Sequence, residues 1–387
     1  MHKQDVIISG GGMVGAVCAN ALAKAGLSVA MIEAGPQISC QSQDERSLRV
    51  VAIADKHLAF LHDLGIKSLI DDDRMGPYQS MQVWDNNSRG ELNFSRGSGL
   101  NLGAITENKW LVYAAQKKIQ DCSQIQTFYQ HTIASFEQSQ RQVSVTLDNQ
   151  EQLQGRLLLS CEGAGSPLRN MADIDVRNSP YQQRAIVCYL RVEHAPELTA
   201  IQAFNHTGPV ALLPMGGDLF SLVWSCDEDQ CQHWLDAEDG RFINALKAHL
   251  RRDFGDISVV SERGSFPLRQ MYASQTVSDR LVLLGDSAHV VHPLAGQGVN
   301  LGLSDVVELV RQIKGINLRD NESVNRALKR YQRRRNSDVY MTSELMSFLH
   351  RFYAMKQPSL TWLRGTGMNL INNFKPLKHW LLQQAGS

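Results

Sequence analysis

Three glycines and one acid near the amino end carry the first recognisable chemistry. Gly10, Gly12 and Gly15 stand in the order G-x-G-x-x-G, and Glu33 follows at the end of the next apolar run. Gly10 permits a tight turn, Gly12 lets backbone approach a pyrophosphate, and Gly15 lets a helix pack close to a strand. Met13 and Val14 complete the motif as cofactor-binding candidates, and the N–H groups and dipole at the start of the helix that follows attract phosphate. Glu33 stands where it can accept from ribose hydroxyls, and its charge opposes a 2′-phosphate. These residues therefore point to FAD or NAD rather than NADP. A second constellation decides between the two. Gly285-Asp286-Ser287-Ala288-His289 follows an apolar run and leads into Gly296-Gln297-Gly298-Val299-Asn300. Asp286 can accept from ribityl hydroxyls, and the N–H groups of Gly296 to Asn300 can face the negative end of a reduced flavin. A nicotinamide dehydrogenase has no need of this second acid and glycine-rich helix start. The reading is FAD.

These residues need elements to hold them. Asp5 to Ser9 reads as a buried strand, Ala16 to Ala25 as a helix ended by Gly26, and Ser28 to Ile32 as a second strand. Arg280 to Leu284 reads as another buried strand, with a helix from about Leu301 to Lys314. Ser80 to Trp84 and Glu91 to Phe94 flank a turn and predict a hairpin, as do Gln142 to Leu147 and Gln152 to Leu159. Strands over 185–193, 201–205, 210–214 and 219–225 predict a sheet roofing the flavin, and residues 233 to 254 read as one helix. The fold class expected is α/β with an α+β insert. A Rossmann-like FAD-binding domain takes 1–75, 100–170 and 265–325. An inserted β-sheet substrate domain takes 76–99 and 171–264, and C-terminal helices take 326–387.

With these motifs in place, the chain resembles the flavin-dependent aromatic hydroxylases of the para-hydroxybenzoate hydroxylase type. Within them it is most similar to the ubiquinone-biosynthesis hydroxylases that act on polyprenylated phenols and quinols. The likeness runs through Gly10 to Gly15, Arg49 to Ile53, Gly103 to Asn108, Phe266-Pro267-Leu268 and Gly285 to Asn300. It implies that Arg49 lies against FAD, that Asp286 binds the ribityl chain and that Pro293 sits near the flavin's reactive carbon. It also implies NAD(P)H as a transient reductant, dioxygen as co-substrate, a flavin hydroperoxide, and a prenylated phenol or quinol as substrate. No acid or base is assignable beside Pro293. A reductase of the same fold and a non-catalytic flavin-binding subunit are the alternatives. The Trp-x-Trp-x-Ile-Pro motif of flavin halogenases is missing.

One segment departs from the family. Where an Asp-Gly pair is usual, this chain has Glu162-Gly163, followed by Gly165. Glu162 keeps the charge and adds a methylene, so it is retained as a cofactor-binding residue, while reductant docking is less secure than FAD binding. The alternative is that Glu162 only caps a turn. Trp84, Trp224 and Leu294 are candidates to line an apolar substrate pocket, with sheet packing as the other reading of the tryptophans. His289 and His292 stand at i, i+3, but no carboxylate or cysteine set completes a metal site, and none is expected.

The whole composition fits this reading. Of 387 residues, 39 are basic and 39 acidic, so nothing global marks a nucleic-acid binder. Seven scattered cysteines without C-x-x-C spacing fit a reducing compartment. No secretory signal and no run of about 18 apolar residues is found. A cytoplasmic protein is expected, peripheral on the inner face of a membrane if its tail docks there. After Glu344 the remaining 43 residues hold no acid but include Arg351, Lys356, Arg364, Lys375 and Lys378, interleaved with aromatics. Basic and aromatic residues at helical spacing suit an anionic membrane surface, or a helical layer packed on the FAD domain. A ubiquinone-biosynthesis complex is a further candidate partner.

Overall fold

In the computed structural model, which describes residues 2–41, 44–97, 99–291, 297–354 and 357–374, the apolar run Val6–Ser9 sits inside a parallel sheet. All four of its residues are buried, because both faces of the sheet are covered. Leu157–Ser160 pairs with it on one side and Val29–Glu33 on the other. Leu281–Leu283 and Ile125–Tyr129 extend the sheet outward, again in parallel. The carboxyl ends of these strands therefore share one edge, where Gly10, Glu33, Glu162 and Gly285 emerge. An open parallel sheet binds its ligands at that edge.

Helices Met13–Lys24, Asn108–Gln120 and Gln297–Ile313 cover one face through Val17, Leu22, Leu111, Leu303 and Leu309. A small sheet covers the other, with Val143, Val145 and Leu153 against Ile7, Ala30 and Leu158. The expected strand over 152–159 divides there. Gln152–Gly155 pairs antiparallel with Val143–Leu147, and after Arg156 the chain crosses into the parallel sheet as Leu157–Ser160. A Cβ at Gly155 would stand 2.9 Å from Ile7 Cγ1, so glycine lets the two layers close.

The larger antiparallel sheet takes Ser80–Asp85 and Glu91–Ser95 from one part of the chain and Val176–Val192 through Gly264–Ala273 from another. The strand Gly264–Ala273 runs past residue 265, where the sequence puts a boundary, and stays in this sheet. Alternation along the strands sorts their faces. Ile186, Leu190, Phe220, Leu222 and Trp224 pack beneath helices Glu228–Asp236 and Asp239–Leu250. Tyr189, Leu213 and Leu219 face the other way, against Ala52 and Ile105 of a three-stranded sheet next to the FAD fingerprint. The single helix expected over 233–254 is two, because Ala237 and Glu238 are extended.

Helices Asn321–Ala354 and Pro358–Asn373 close the described chain. The last one lies along the edge strand Glu91–Ser95. Asn369 Oδ1 accepts the Glu91 N–H at 3.1 Å and Asn372 Oδ1 accepts the Asn93 N–H at 3.1 Å. Two side-chain amides thus satisfy donors that an open sheet edge would leave unpaired. Arg364 of the same helix is fully buried and ion-paired to Asp85, Nε to Oδ2 3.1 Å.

Candidate functional site

The fingerprint turn is held by backbone contacts that exclude larger residues. Gly10 has φ +99°, and a Cβ there would meet the Cys161 carbonyl oxygen at 2.4 Å. A Cβ on Gly15 would lie 1.8 Å from the Gly10 carbonyl oxygen. Gly12 differs, since a Cβ there would meet nothing within 4 Å, and its open side is where a pyrophosphate could lie. No side chain caps the helix that Met13 and Val14 begin, and its first turn carries no acid. Its N–H groups are left for an anion.

Glu33 braces this turn. Its carboxylate accepts the N–H of Gly11 at 2.5 Å and of Gly35 at 2.8 Å, and each oxygen keeps further acceptor capacity for a ribose. Gln116 was not singled out from the sequence. Its amide donates to the Gly11 carbonyl and accepts the Ile38 N–H, both at 2.8 Å, so it ties the turn to helix Asn108–Gln120. A lone Gln on a helix gives no signal of that role.

At the distal motif Gly285 has φ +58° and Gly285–Ser287 makes one tight turn. Asp286 is half-buried. Burial pushes its carboxyl above the usual range, opposed by the neighbouring His289, Arg49 and Arg269. Asp305, fully buried on helix Gln297–Ile313, anchors the turn from behind. It accepts from the Gly285 N–H at 2.8 Å, from His289 Nε2 at 2.7 Å and from Arg335 Nε at 2.6 Å. Burial alone would raise the Asp305 carboxyl, but His289, Arg335 and these hydrogen bonds outweigh it and the net shift is downward. This network spans three separate elements and was not legible in the sequence. His289 is thus a hydrogen-bonded support beneath the Asp286 turn.

The two halves meet at Val14. Its Cγ2 stands 3.0 Å from the position of a Cβ on Gly285 and 2.8 Å from that on Gly302. Gly302, also missed, is what lets helix Gln297–Ile313 come this close to the fingerprint helix. Asn300 sets where that helix begins. Its side chain accepts the Ala54 N–H and donates to the Ala52 carbonyl, 2.9 and 2.8 Å, and so pins the helix to strand Val50–Ala54. His57 donates from Nδ1 to the same Asn300 oxygen at 2.9 Å and takes Ser304 Oγ on Nε2 at 3.1 Å. Burial lowers the His57 pKa to about 4, so the ring is neutral. The Val299 side chain is core, which leaves only its backbone for a ligand. A Cβ on Gly298 would meet nothing within 4 Å. Gln297 opens the helix, and Pro293, Leu294 and Gly296 lie outside the described residues, as does His292.

Arg49 is exposed, and its charge reaches Asp286 across the mouth of the site. Its backbone is held by Asn108, and the loop before it by buried Glu107. The Glu107 carboxylate accepts the Ser47 N–H at 2.6 Å and pairs with Arg74 at 3.1 Å, while the Arg49 carbonyl takes the Asn108 N–H at 2.9 Å.

Two expectations are corrected. Trp84 and Trp224 are buried on the helix-covered face of the large sheet, the face turned from the fingerprint. Trp224 packs on Trp234 and Phe242, with ring centroids at 5.3 and 5.4 Å. Trp84 donates to the Leu250 carbonyl at 3.1 Å and lies under the Arg252 guanidinium. Strand alternation puts both side chains on that face, so they pack the sheet and do not line a pocket facing FAD. Glu162 is turned inward. Its carboxylate accepts from Ser9 Oγ at 2.6 Å, Ser166 Oγ at 2.6 Å, Ser160 Oγ at 3.2 Å and the Leu168 N–H at 3.0 Å. It therefore braces the turn before helix Pro167–Met171, with Oε2 taken up by three protein donors and Oε1 by Ser9. The extra methylene of Glu over Asp is what reaches Ser9 on the neighbouring strand.

The arrangement suits a dinucleotide running from the uncapped start of helix Met13–Lys24 to the Asp286 turn, with an acid at each end and Arg49 near Asp286. A family model described as FAD binding domain matches residues 3–342. The chain is 29% identical to the mitochondrial ubiquinone biosynthesis monooxygenase COQ6 of Mus musculus, over 98% of this chain and 90% of that protein. It is 27% identical to the 3-demethoxyubiquinol 3-hydroxylase of Escherichia coli strain K12, over 98% of both chains. The crystal structure of the p-nitrophenol 4-monooxygenase PnpA of Pseudomonas putida DLL-E4 has the same fold, with a TM-score of 0.77 at 15% identity, covering 100% of this chain and 99% of that one.

Proposed function

The chain belongs to the FAD binding domain family, and from that premise we propose that it hydroxylates the ring of a polyprenylated phenol or quinol in ubiquinone biosynthesis, with NAD(P)H as transient reductant and dioxygen as co-substrate. The observation that carries the reading is the meeting at Val14 of the fingerprint helix, the Asp286 turn and helix Gln297–Ile313, which supports a single FAD site shared by the two motifs. Full-length likeness to two hydroxylases named for ubiquinone synthesis supports the substrate class.

FAD, when bound, supplies the redox chemistry and the activation of oxygen. The chain's own residues position and shield it. Gly12, Met13 and Val14 present N–H groups to the pyrophosphate and Glu33 holds the adenosine ribose. Asp286 takes the ribityl hydroxyls, and the backbone from Gly298 to Asn300 faces the ring. Arg49 would lie against the bound cofactor, and Pro293 and Leu294 are the residues that the family resemblance assigns to the ring and the substrate. The enzyme works in the cytoplasm at the inner face of the membrane, beside other enzymes of the pathway. Among the described residues no helix is long and apolar enough to cross a membrane.

The test is oxygen uptake by FAD-loaded protein with NADH or NADPH and a short-chain prenylphenol, with products read by mass spectrometry. Substrate-stimulated uptake and a product heavier by one oxygen are expected. Turnover that persists without oxygen would instead indicate a reductase. Flavin that neither nicotinamide bleaches would indicate a non-catalytic subunit.

A further inference from the structure

Helix Pro358–Asn373 seats on the sheet edge yet shows large apolar side chains to solvent. Arg364 is buried against Asp85, Asn372 is half-buried, and the exposed Asn369 reaches across to bond the edge strand. Gly365 permits this close seat, since a Cβ there would stand 3.1 Å from Ser88 Oγ, and Met368 is buried beside it. The outward side carries large apolar groups instead. Trp362 is 70% exposed, Leu370 65%, and Phe374, just past the helix, 58%. Helical geometry puts Trp362 and Leu370 on the side opposite Arg364 and Met368. A surface helix normally shows water the reverse pattern.

The sequence after Glu344 carries charge of one sign. Counted from the sequence, Lys356 precedes the helix, Lys375 and Lys378 follow it, and no acid occurs after Glu344. The nearby acids are engaged: Asp85 is buried with Arg364, and Glu91 pairs with Arg252 at 2.8 Å. We propose that this helix is a membrane-docking surface, which lies flat on an anionic lipid bilayer with Trp362, Leu370 and Phe374 in the headgroup boundary. An outward tryptophan and flanking lysines suit that interface. The inference deepens the proposed function by naming where a lipid-dissolved substrate is met. Its test reads lipid binding and not hydroxylation, so either can fail alone.

The full FAD-loaded chain is floated with vesicles of phosphatidylcholine alone, and with vesicles carrying phosphatidylglycerol as well. Binding is expected only to the anionic vesicles, and it weakens as salt rises. A variant with Trp362→Ser and Leu370→Ser is expected to lose at least roughly tenfold in partition while keeping its flavin spectrum. A second variant, Lys356→Gln with Lys375→Gln and Lys378→Gln, leaves the packed helix untouched. It is expected to lose on the order of a hundredfold, at about 1 kcal/mol for each cation. Failure of the parent chain to float, equal binding to neutral vesicles, or undiminished binding by both variants overturns the proposal. So does a chain that self-associates in solution and becomes monomeric on Trp362→Ser without any vesicle binding.

Discussion

Gly302→Ala tests the convergence on which the cofactor site rests. The new methyl would stand 2.8 Å from Val14 Cγ2, and the next atom is Gly285 Cα at 3.4 Å. Valine in a helix is held to one χ1 rotamer, so its methyl cannot swing aside cheaply. Overpacking of this kind costs about 1–3 kcal/mol, while alanine in place of a helical glycine returns about 1 kcal/mol. The net loss expected is up to about 2 kcal/mol, with weaker FAD binding because the helix start and the Asp286 turn move apart. Val14→Ala alone should cost about 1 kcal/mol through lost half-buried methyls. The double variant has no clash, since 3.4 Å is ordinary contact, and it keeps the propensity gain. It should be at least as stable as Val14→Ala. The coupling between the two sites is therefore expected at about 1–3 kcal/mol, favourable in the double. Urea unfolding followed by circular dichroism reads the stability, and quenching of flavin fluorescence reads the affinity. Additivity of the two single effects within about 0.5 kcal/mol would refute the reasoning.

Three further predictions follow from the same geometry. Asp286→Asn should weaken FAD binding by tenfold or more by titration, since a charge-assisted acceptor is lost. The Asp286 carboxyl is raised in the folded chain, so its penalty on apo-protein stability is fully present above the folded pKa and vanishes below the unfolded one. The variant's apo-protein should lack that fall in stability with rising pH, as read by urea midpoints. His57 has its pKa lowered to about 4, so its stability contribution is present above about 6.5 and is lost as pH falls toward 4, about 3 kcal/mol in all. His57→Gln should flatten the parent's loss over that window, measured by the same midpoints. Asn369→Ala should cost about 1 kcal/mol and speed exchange of the Glu91 amide, read by hydrogen exchange. An unchanged amide would show that the edge strand does not depend on this cap.

Much of this protein follows from local pattern. The glycine spacing at Gly10 to Gly15, the acid at Glu33 and the second glycine-rich start after Asp286 are consecutive residues obeying backbone rules. They sufficed for FAD, for the α/β class and for the family. Strand period told apolar runs from turns. What it could not tell was which sheet a run would join, and Gln152 to Ser160 divides between two sheets through a single Arg156. Nor could it tell which face of a strand would meet helices. Trp84 and Trp224 allowed both a pocket and a packing reading, with packing favoured, until the register was known. Glu162 turned inward because its carboxylate reaches hydroxyls on a neighbouring strand and on its own turn, a contact with Ser9 made only when the strands pair. Gln116, Gly302, Asp305 and Glu107 brace the site from a distance in sequence. Their roles depend on which elements pack together, and long-range packing leaves no mark on local periodicity. The tail illustrates both sides. Its aromatics and cations were countable from the sequence, but only the seat of the last helix on the sheet edge decided that Arg364 is buried and Trp362 turns out.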